Sequence, residues 1–514
     1  GHLVVSEVQP APDSEDVAPD TSVTVVFNRP VVPLTTIGDQ EGLVDPLTFT
    51  PPVQGTGEWL NTSIYRFHPE GGFLPATVYT ARVSAGLSDT GGSPLAEDYT
   101  WTFATQRPLV LNRTPRTEEE HIGPNSVISV TFNQPMNRVS VEAAFTLSVN
   151  DQPVAGTFRW SGGENPLAEE TMIFVPAVPL PRNVRPYAVL ASTARARSSD
   201  VTIAQQYAWR FYTVKDPGVI STSPISGETN VSPYTDIVID FASPMQRGNF
   251  MNYVRIIPEP TSVYTYWSEA DTEVRISLRL EPATVYNVTL DGEAPDKYGM
   301  SLGETLHLRF TTGDLSPYAT LNTIGELSTF NTYTDTAIYV GYRNVSRLDA
   351  ELYRLSVEDF IRFYDYRDYN FRYNFQPVAA DLVRQWSVPM NPPRNTNGLL
   401  RLDMVDANAE QLPSGIYLLK VIAPEVLRYD INARPAQHVF IRSHVNLTMK
   451  QTRTESLVWA TDLATGQPVP NLPIRFKGQN LDWHGEGQTD SDGVYLSPAR
   501  DETELWDSYF AFSG

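Results

Sequence analysis

Apolar and polar residues alternate in short bursts along this chain, and three of the bursts sit at one fixed distance from a proline. Ile237, Ile239 and Phe241 fall on one face of an extended segment, with Val238 and Asp240 on the other. Pro224 lies 17 residues before Phe241, and the same step joins Pro10 to Phe27 and Pro115 to Phe132. Val23 and Val25 precede the first phenylalanine, Ile128 and Val130 the second, again at period two. Each run stops three residues later, at Pro30, Pro135 or Pro244, because proline cannot donate to a sheet ladder. Met136 and Met245 follow two of these prolines.

A second set of intervals keeps the same step. Leu74–Tyr79, Leu180–Tyr187 and Leu280–Tyr286 each lead into a strand, and from each tyrosine it is 24 residues to Phe103, Phe211 and Phe310. Those phenylalanines close the alternating runs Tyr99–Phe103, Tyr207–Phe211 and Leu306–Phe310, which places Trp101 and Trp209 on the same inward faces. A repeat of about 105 residues is the length of a tandem domain rather than of a solenoid unit. Short alternating strands between Pro, Gly and Asn turns predict β-sandwiches of immunoglobulin type. The expected divisions are residues 1–105, 106–214 and 215–313, joined by segments too short to act as flexible tethers.

Ten residues after Tyr79 stands Asp89, with Gly92 behind it, and ten after Tyr286 stands Asp296, with Gly299 behind it. An Asp that binds its own backbone and a Gly that accepts positive φ make a tight turn. One acid per turn is too few for calcium. In the second unit the register holds Arg197 instead, so that loop is expected to be looser or replaced by a contact with a neighbour.

Beyond residue 314 the pattern changes. Ala337–Val345 reads as a strand and turn, with Ala350–Leu355 pairing back against it. Ser356, followed by Glu358 and Asp359, predicts a short helix, and Pro377 before Val378–Trp386 predicts a second. Leu412-Pro-Ser-Gly415 is a turn feeding a buried strand. Asp462–Gly466 turns one strand into the next, and Thr489–Gly493 reads as a hairpin turn, its glycine misplaced for a calcium loop.

At the three repeats the chain resembles bacterial Ig-like domains. Its second part resembles bacterial α2-macroglobulins. Tyr342–Val345, Glu351–Arg354, Leu382–Ser387 and Leu412–Tyr417 are similar to a first macroglobulin domain, and Ser456–Pro470 with Gly487–Tyr495 to the next. The resemblance implies an all-β chain of tandem immunoglobulin-like and macroglobulin β-sandwiches in an elongated rod, with macroglobulin-like domains at 314–442 and 443–514, the last one truncated. It also implies protease trapping by a longer protein, with proteases as partners, and an N-terminal, non-catalytic scaffold role for this stretch. Two other readings stand beside it: a surface adhesin or stalk, and accessory domains of a polysaccharide-active enzyme.

Composition narrows the chemistry. The 514 residues carry a net charge of −22, which disfavours nucleic acid and anionic membrane surfaces. There is no cysteine, hence no disulfide, no thiolate metal site and no internal thioester, which joins a cysteine sulfur to a glutamine carbonyl. Only five of the 38 basic residues are lysine. No apolar run approaches the ~18 residues that a membrane helix needs. Stacked Ig-like units favour the periplasm or the cell surface, with any membrane anchor at a removed N-terminus. The seven histidines match no metalloprotease or hydrolase motif, and His484-Gly-Glu486 lacks the cysteines that a zinc deaminase signature requires. No catalytic, cofactor-binding or metal-binding residue is expected.

One stretch stands out. Half of the residues of Phe360–Phe375 are aromatic, interleaved with Arg362, Arg367 and Arg372. Exposed, it would offer a docking surface built from Phe363, Tyr364, Tyr366, Arg367, Tyr369, Phe371 and Tyr373. The alternative is a segment whose rings pack on its own domain, with arginines stacked over them.

Overall fold

A computed structural model describes residues 1–33, 42–365, 369–452, 455–478, 481, 483–497 and 509–513, without the side chains of 369, 373, 484 and 509. The chain divides into two compact units. One comprises Gly1–Ser226, Asp236–Leu278 and Asn287–Arg309; the other comprises Gly227–Thr235, Arg279–Tyr286 and Phe310–Gly514.

The period-two runs form the central strands of three sandwiches, each run pairing antiparallel with its neighbours. In the first, Val23–Phe27 lies between Val5–Gln9 and Ile64–Pro69, with Gly55–Asn61 at the edge. The facing sheet runs Ser14–Val17, Tyr99–Thr105, Val78–Val83, Leu47–Thr50. In the second, Ile128–Phe132 is paired with Val110–Thr114 and Glu170–Pro176, and in the third Ile237–Phe241 is paired with Val219–Ser223 and Glu273–Leu278. The alternation is obeyed closely. Val23, Val25, Ile128, Val130, Ile237 and Ile239 are fully buried, and the three phenylalanines after them are at most 3% exposed. Trp101, Phe103, Trp209 and Phe211 all lie inside their cores.

The second repeat departs from the expected register by one residue. Tyr79 pairs with Phe103, but Phe211 aligns with Pro186, because Tyr187 pairs with Arg210 and Ala188 with Trp209. A slip of one residue in a strand sends the side chain to the other face. Tyr79 and Tyr286 are buried, stack on Phe103 and Phe310, and receive the backbone N–H of Leu74 and Glu281 on their hydroxyls at 2.9 and 2.8 Å. Tyr187 is half-buried, with the Arg210 guanidinium 4.4 Å from its ring centre. The true equivalents are Phe73, Leu180 and Leu280, each six residues before Tyr79, Pro186 and Tyr286.

Past Phe310 the strands form two more pairs of sheets. Tyr318–Asn322, Ala337–Arg343 and Gly398–Asp403 face a five-stranded sheet ordered Leu327–Asn331, Ala436–Ser443, Gly415–Ile422, Arg347–Leu355, Leu382–Pro389. Ala337–Arg343 and Arg347–Leu355 therefore belong to opposite sheets and do not pair back. Asn344, at φ 52°, turns the chain across between them. The first expected helix is present as Val357–Phe363, capped by Ser356, which accepts the Asp359 N–H. The second is not: after the short turn Ala379–Asp381 the chain is the strand Leu382–Pro389, laid along Arg347–Leu355. Val383, Trp386 and Val388 pack onto the core there, so pairing overrides the proline signal.

The last sheets are Val445–Gln451, Ser456–Asp462, Val494–Ser497, and Trp483–Gln488, Pro473–Gly478, Tyr509–Phe512. Asp462 accepts the backbone N–H groups of Ala464 and Thr465, with Gly466 at positive φ, as its turn requires. Thr489–Gly493 links strands of different sheets, so it is an arch and not a hairpin.

Candidate functional site

No three metal-binding side chains gather into a cation site among the described residues. The distinctive chemistry lies instead where one sandwich meets the next. The turn at Asp89 has its carboxylate accepting the N–H groups of Gly91 and Ser93, and Asp296 does the same for Tyr298 and Met300. The corresponding loop of the second domain is a neighbour contact. Ser198 and Ser199 donate their hydroxyls to the carbonyls of Pro75 and Ala76 in the first domain, at 2.6 and 2.5 Å. Arg197 holds the loop from behind, donating to the Gly163 carbonyl and to the fully buried Glu170. Gly72, at φ 80°, takes a backbone conformation that favours glycine, and a Cβ on it would lie 2.6 Å from the Leu167 side chain of the second domain.

The next joint uses the same two elements with different chemistry. The turn that holds Pro75 in the first repeat holds Arg182 in the second. Arg182 reaches into the third domain and pairs with Asp296 at 2.8 Å, where the carboxylate is fully buried and the arginine side chain only 13% exposed. Ser243 donates to the same oxygen at 2.8 Å. Tyr298 lies under the Arg182 guanidinium and donates its hydroxyl to the His121 carbonyl at 2.7 Å. Burial holds the Tyr298 phenol above its ordinary range. A Cβ on Gly123 would sit 2.4 Å from the Tyr298 ring. With Arg182 truncated, Asp296 keeps only neutral donors around a buried charge. Arg182→Ala is expected to cost about 1–3 kcal/mol and to speed proteolysis between the two domains. Unchanged digestion kinetics would show that the pair does not hold the joint.

The aromatic stretch builds a third joint, inside the second unit. Phe360, Ile361 and Phe363 on the capped helix are buried against Leu355, Leu418 and Val439 of the five-stranded sheet. The far side of Phe360 meets Phe510 and Phe512 of the last sheet, with ring centres 5.4 and 6.0 Å away. Glu358 on the same helix pairs with Lys477, a lysine 4% exposed whose ammonium also lies 4.7 Å from the Trp483 ring centre. The hydrogen bond from Lys477 holds the Glu358 carboxyl below its usual range. Tyr333 donates to Asp462 at 2.7 Å, and this bond, with those from Thr465, holds the aspartate down to about 2.

Of the seven residues expected to form a docking surface, the side chains of Phe363, Tyr364 and Phe371 are described, and all three pack on their own domain. Phe363 is 3% exposed, Tyr364 is half-buried with its hydroxyl donating to the Glu326 carbonyl at 2.8 Å, and Phe371 is half-buried beneath the Arg362 guanidinium at 4.0 Å. Arg372 stacks over Phe363 and Tyr364. Aromatic rings this large are drawn to the available apolar sheet face, and arginines cover what remains. Tyr366 and Arg367 lie outside the described residues, as do the side chains of Tyr369 and Tyr373.

A set of side chains that the spacing argument missed recurs two residues after each closing phenylalanine. Thr105, Thr213 and Thr312 are buried, and each hydroxyl clamps the turn before the paired strand. Each accepts a backbone N–H, from Thr77, Val184 and Thr284 respectively. Thr105 and Thr312 donate to the Leu74 and Glu281 carbonyls. The Phe-x-Thr signal stands in the sequence at all three places.

His438 is 4% exposed, with its Nε2 2.9 Å from the Ser328 hydroxyl, and burial holds its pKa below the ordinary imidazole range. The unfolded chain takes up a proton near pH 6.5 while the folded chain resists it. The stabilisation is thus complete above that pH and lost as pH falls through it. Between pH 7.5 and 5.5 the His438→Gln variant is expected to lose less stability than the parent in urea titrations. An equal loss would remove His438 as a source of acid sensitivity.

The family described as bacterial Ig-like domain matches residues 2–105, 104–213 and 214–312, together more than half of the chain. An α2-macroglobulin homolog of Nostoc sp. is 22% identical over 350 residues, which are 61% of this chain and 18% of that protein. This chain thus spans under a fifth of the length of the curated relative it matches. Among solved structures, Escherichia coli α2-macroglobulin spanning domains MG0-NIE-MG1 is 18% identical over 56% of this chain and 91% of its own, with a TM-score of 0.34. A Salmonella α2-macroglobulin mutant is 13% identical over all of this chain and 34% of its own, with a TM-score of 0.23. The chain belongs to the bacterial Ig-like domain family, with three copies in tandem.

Proposed function

We propose that this chain is a non-catalytic scaffold of an α2-macroglobulin-like protease inhibitor that works outside the cytoplasm. The observation that carries the reading is the set of joints. The first sandwich meets the second through Ser198 and Ser199, and the second meets the third through Arg182 and Asp296. The helix Val357–Phe363 wedges between the last two sandwiches through Phe360 and Glu358. The hydroxyl contacts, the ion pairs and the packed rings at these three boundaries resist independent swing of the domains that they join, as a support that positions other parts must. Proteases are the partners of the whole inhibitor, not of this stretch. No helix among the described residues is long and apolar enough to cross a membrane.

Trapping needs a long cleavable segment whose cutting releases stored structure. The polar, proline-rich segment after Pro389 lies between the strands Leu382–Pro389 and Gly398–Asp403, both paired within one domain. Cutting it leaves both halves held by their strand neighbours. Incubated with a broad-specificity protease and a large protein substrate, this chain alone is expected to give neither protection of the substrate nor a covalent adduct by mass. Stoichiometric protection or an adduct would overturn the reading.

A further inference from the structure

The outer face of the five-stranded sheet carries a cavity of about 500 Å³ beside the helix Tyr369–Asn374. That volume is of the size that holds a small ligand. Among the described residues, the charged ones lining it are Lys420, Arg372, Arg434 and Glu326, three cations to one carboxylate. In a chain of net charge −22 this is a local reversal of sign.

Lys420 is the unusual member. It stands on the central strand Gly415–Ile422 and is 92% buried, since only 8% of it is exposed. This chain meets its need for cations almost wholly with arginine, and lysine is the more strongly hydrated and more compact charge. A buried ammonium ordinarily has a carboxylate against it. Here the bond found is to the Gln376 amide oxygen at 3.3 Å, and no carboxylate pairs with Lys420 among the described residues. Its cross-strand neighbour Glu351 is engaged elsewhere, accepting from Gln385 at 3.1 Å and from the Tyr353 hydroxyl at 2.9 Å. Its neighbour on the other strand, Gln437, donates to the Arg372 carbonyl. Two of the three ammonium hydrogens are left for a ligand. Glu326 does not cancel the site, because it is paired with Arg372 at 3.1 Å.

We propose that this cavity is a binding site for a small oxyanion-bearing ligand, with its anionic group on Lys420 and its body along Phe375 and the amides of Asn374 and Gln376. A carboxylate and a phosphate share this chemistry, so the test uses succinate and inorganic phosphate as separate probes, at constant ionic strength and pH. Either probe is expected to raise the melting temperature of the complete chain with a saturable dependence and a Kd of about 1–10 mM. Binding is expected to weaken about tenfold or more in Lys420→Met, which retains the length and apolar stem, and severalfold in Arg434→Gln at the rim. The better of the two probes identifies the anion. Isothermal titration of Arg434→Gln covers the case in which Lys420→Met fails to fold. No saturable binding of either probe to the parent chain would overturn the proposal, as would binding unchanged in a folded Lys420→Met or, if that variant does not fold, in Arg434→Gln.

Discussion

Phe211→Ala is expected to lower the stability of the second sandwich by about 3–5 kcal/mol. The ring is fully buried in a core that includes Ile128, Val130, Met172, Leu190 and Trp209. Its neighbours on the strands are fixed by sheet hydrogen bonds, so the void left by the ring would collapse only in part. A control is built into the repeats. Tyr79 and Tyr187 occupy the same place by sequence spacing, yet only Tyr79 packs in the core, edge-on to Phe73 and stacked on Phe103. Tyr79→Ala should therefore resemble Phe211→Ala in cost. Tyr187→Ala should cost about 1 kcal/mol or less, the worth of its contact with Arg210 at an outer face. Denaturant midpoints for the three variants decide the matter. A loss below about 1 kcal/mol for Phe211→Ala, or equal losses for the two tyrosines, would mean that the strand registers are wrong.

That pair of tyrosines shows how far the sequence carried the fold. Period-two runs located the inward faces correctly, because a half-buried strand imposes its alternation on every residue. The proline and phenylalanine intervals also placed three tandem domains. The spacing to Tyr187 failed because the tyrosine matched by type while Pro186 matched by position, and a count of 24 residues cannot see one added residue in a loop. Val378–Trp386 failed for a different reason: local propensity favoured a helix, and pairing with Arg347–Leu355 won. The joints were the least legible part. Arg182 and Asp296 are separated by more than a hundred residues, and nothing local to Arg182 marks its partner. What could be read was the negative signal at Arg197, where the turn chemistry of the other two repeats is missing. The structure fills that place with the contact to Pro75 and Ala76.

The same limit explains the aromatic stretch. A dense run of rings is compatible with an exposed patch or with a buried seam, and only the sheet beneath it decides. Here Leu418 and Val439 supply an apolar face on the five-stranded sheet, while Phe510 and Phe512 supply one from the last sheet. Phe360→Ala should cost about 3–5 kcal/mol, part of it from its own domain and part from the seam. Phe512→Ala removes the seam from the other side. If the two rings share one interface, the double variant should lose less than the sum of the single losses, with a coupling of about 0.5–3 kcal/mol. Glu358→Gln tests the polar rim of the same seam, because Lys477 would remain nearly buried with its carboxylate partner gone. The ring pair and the ion pair then predict one shared phenotype: faster proteolysis of the connection between the last two sandwiches, with the first sandwich's transition unmoved. Additive losses for Phe360→Ala and Phe512→Ala, and digestion at the parent rate, would mean that the helix belongs to its own domain alone and holds no neighbour.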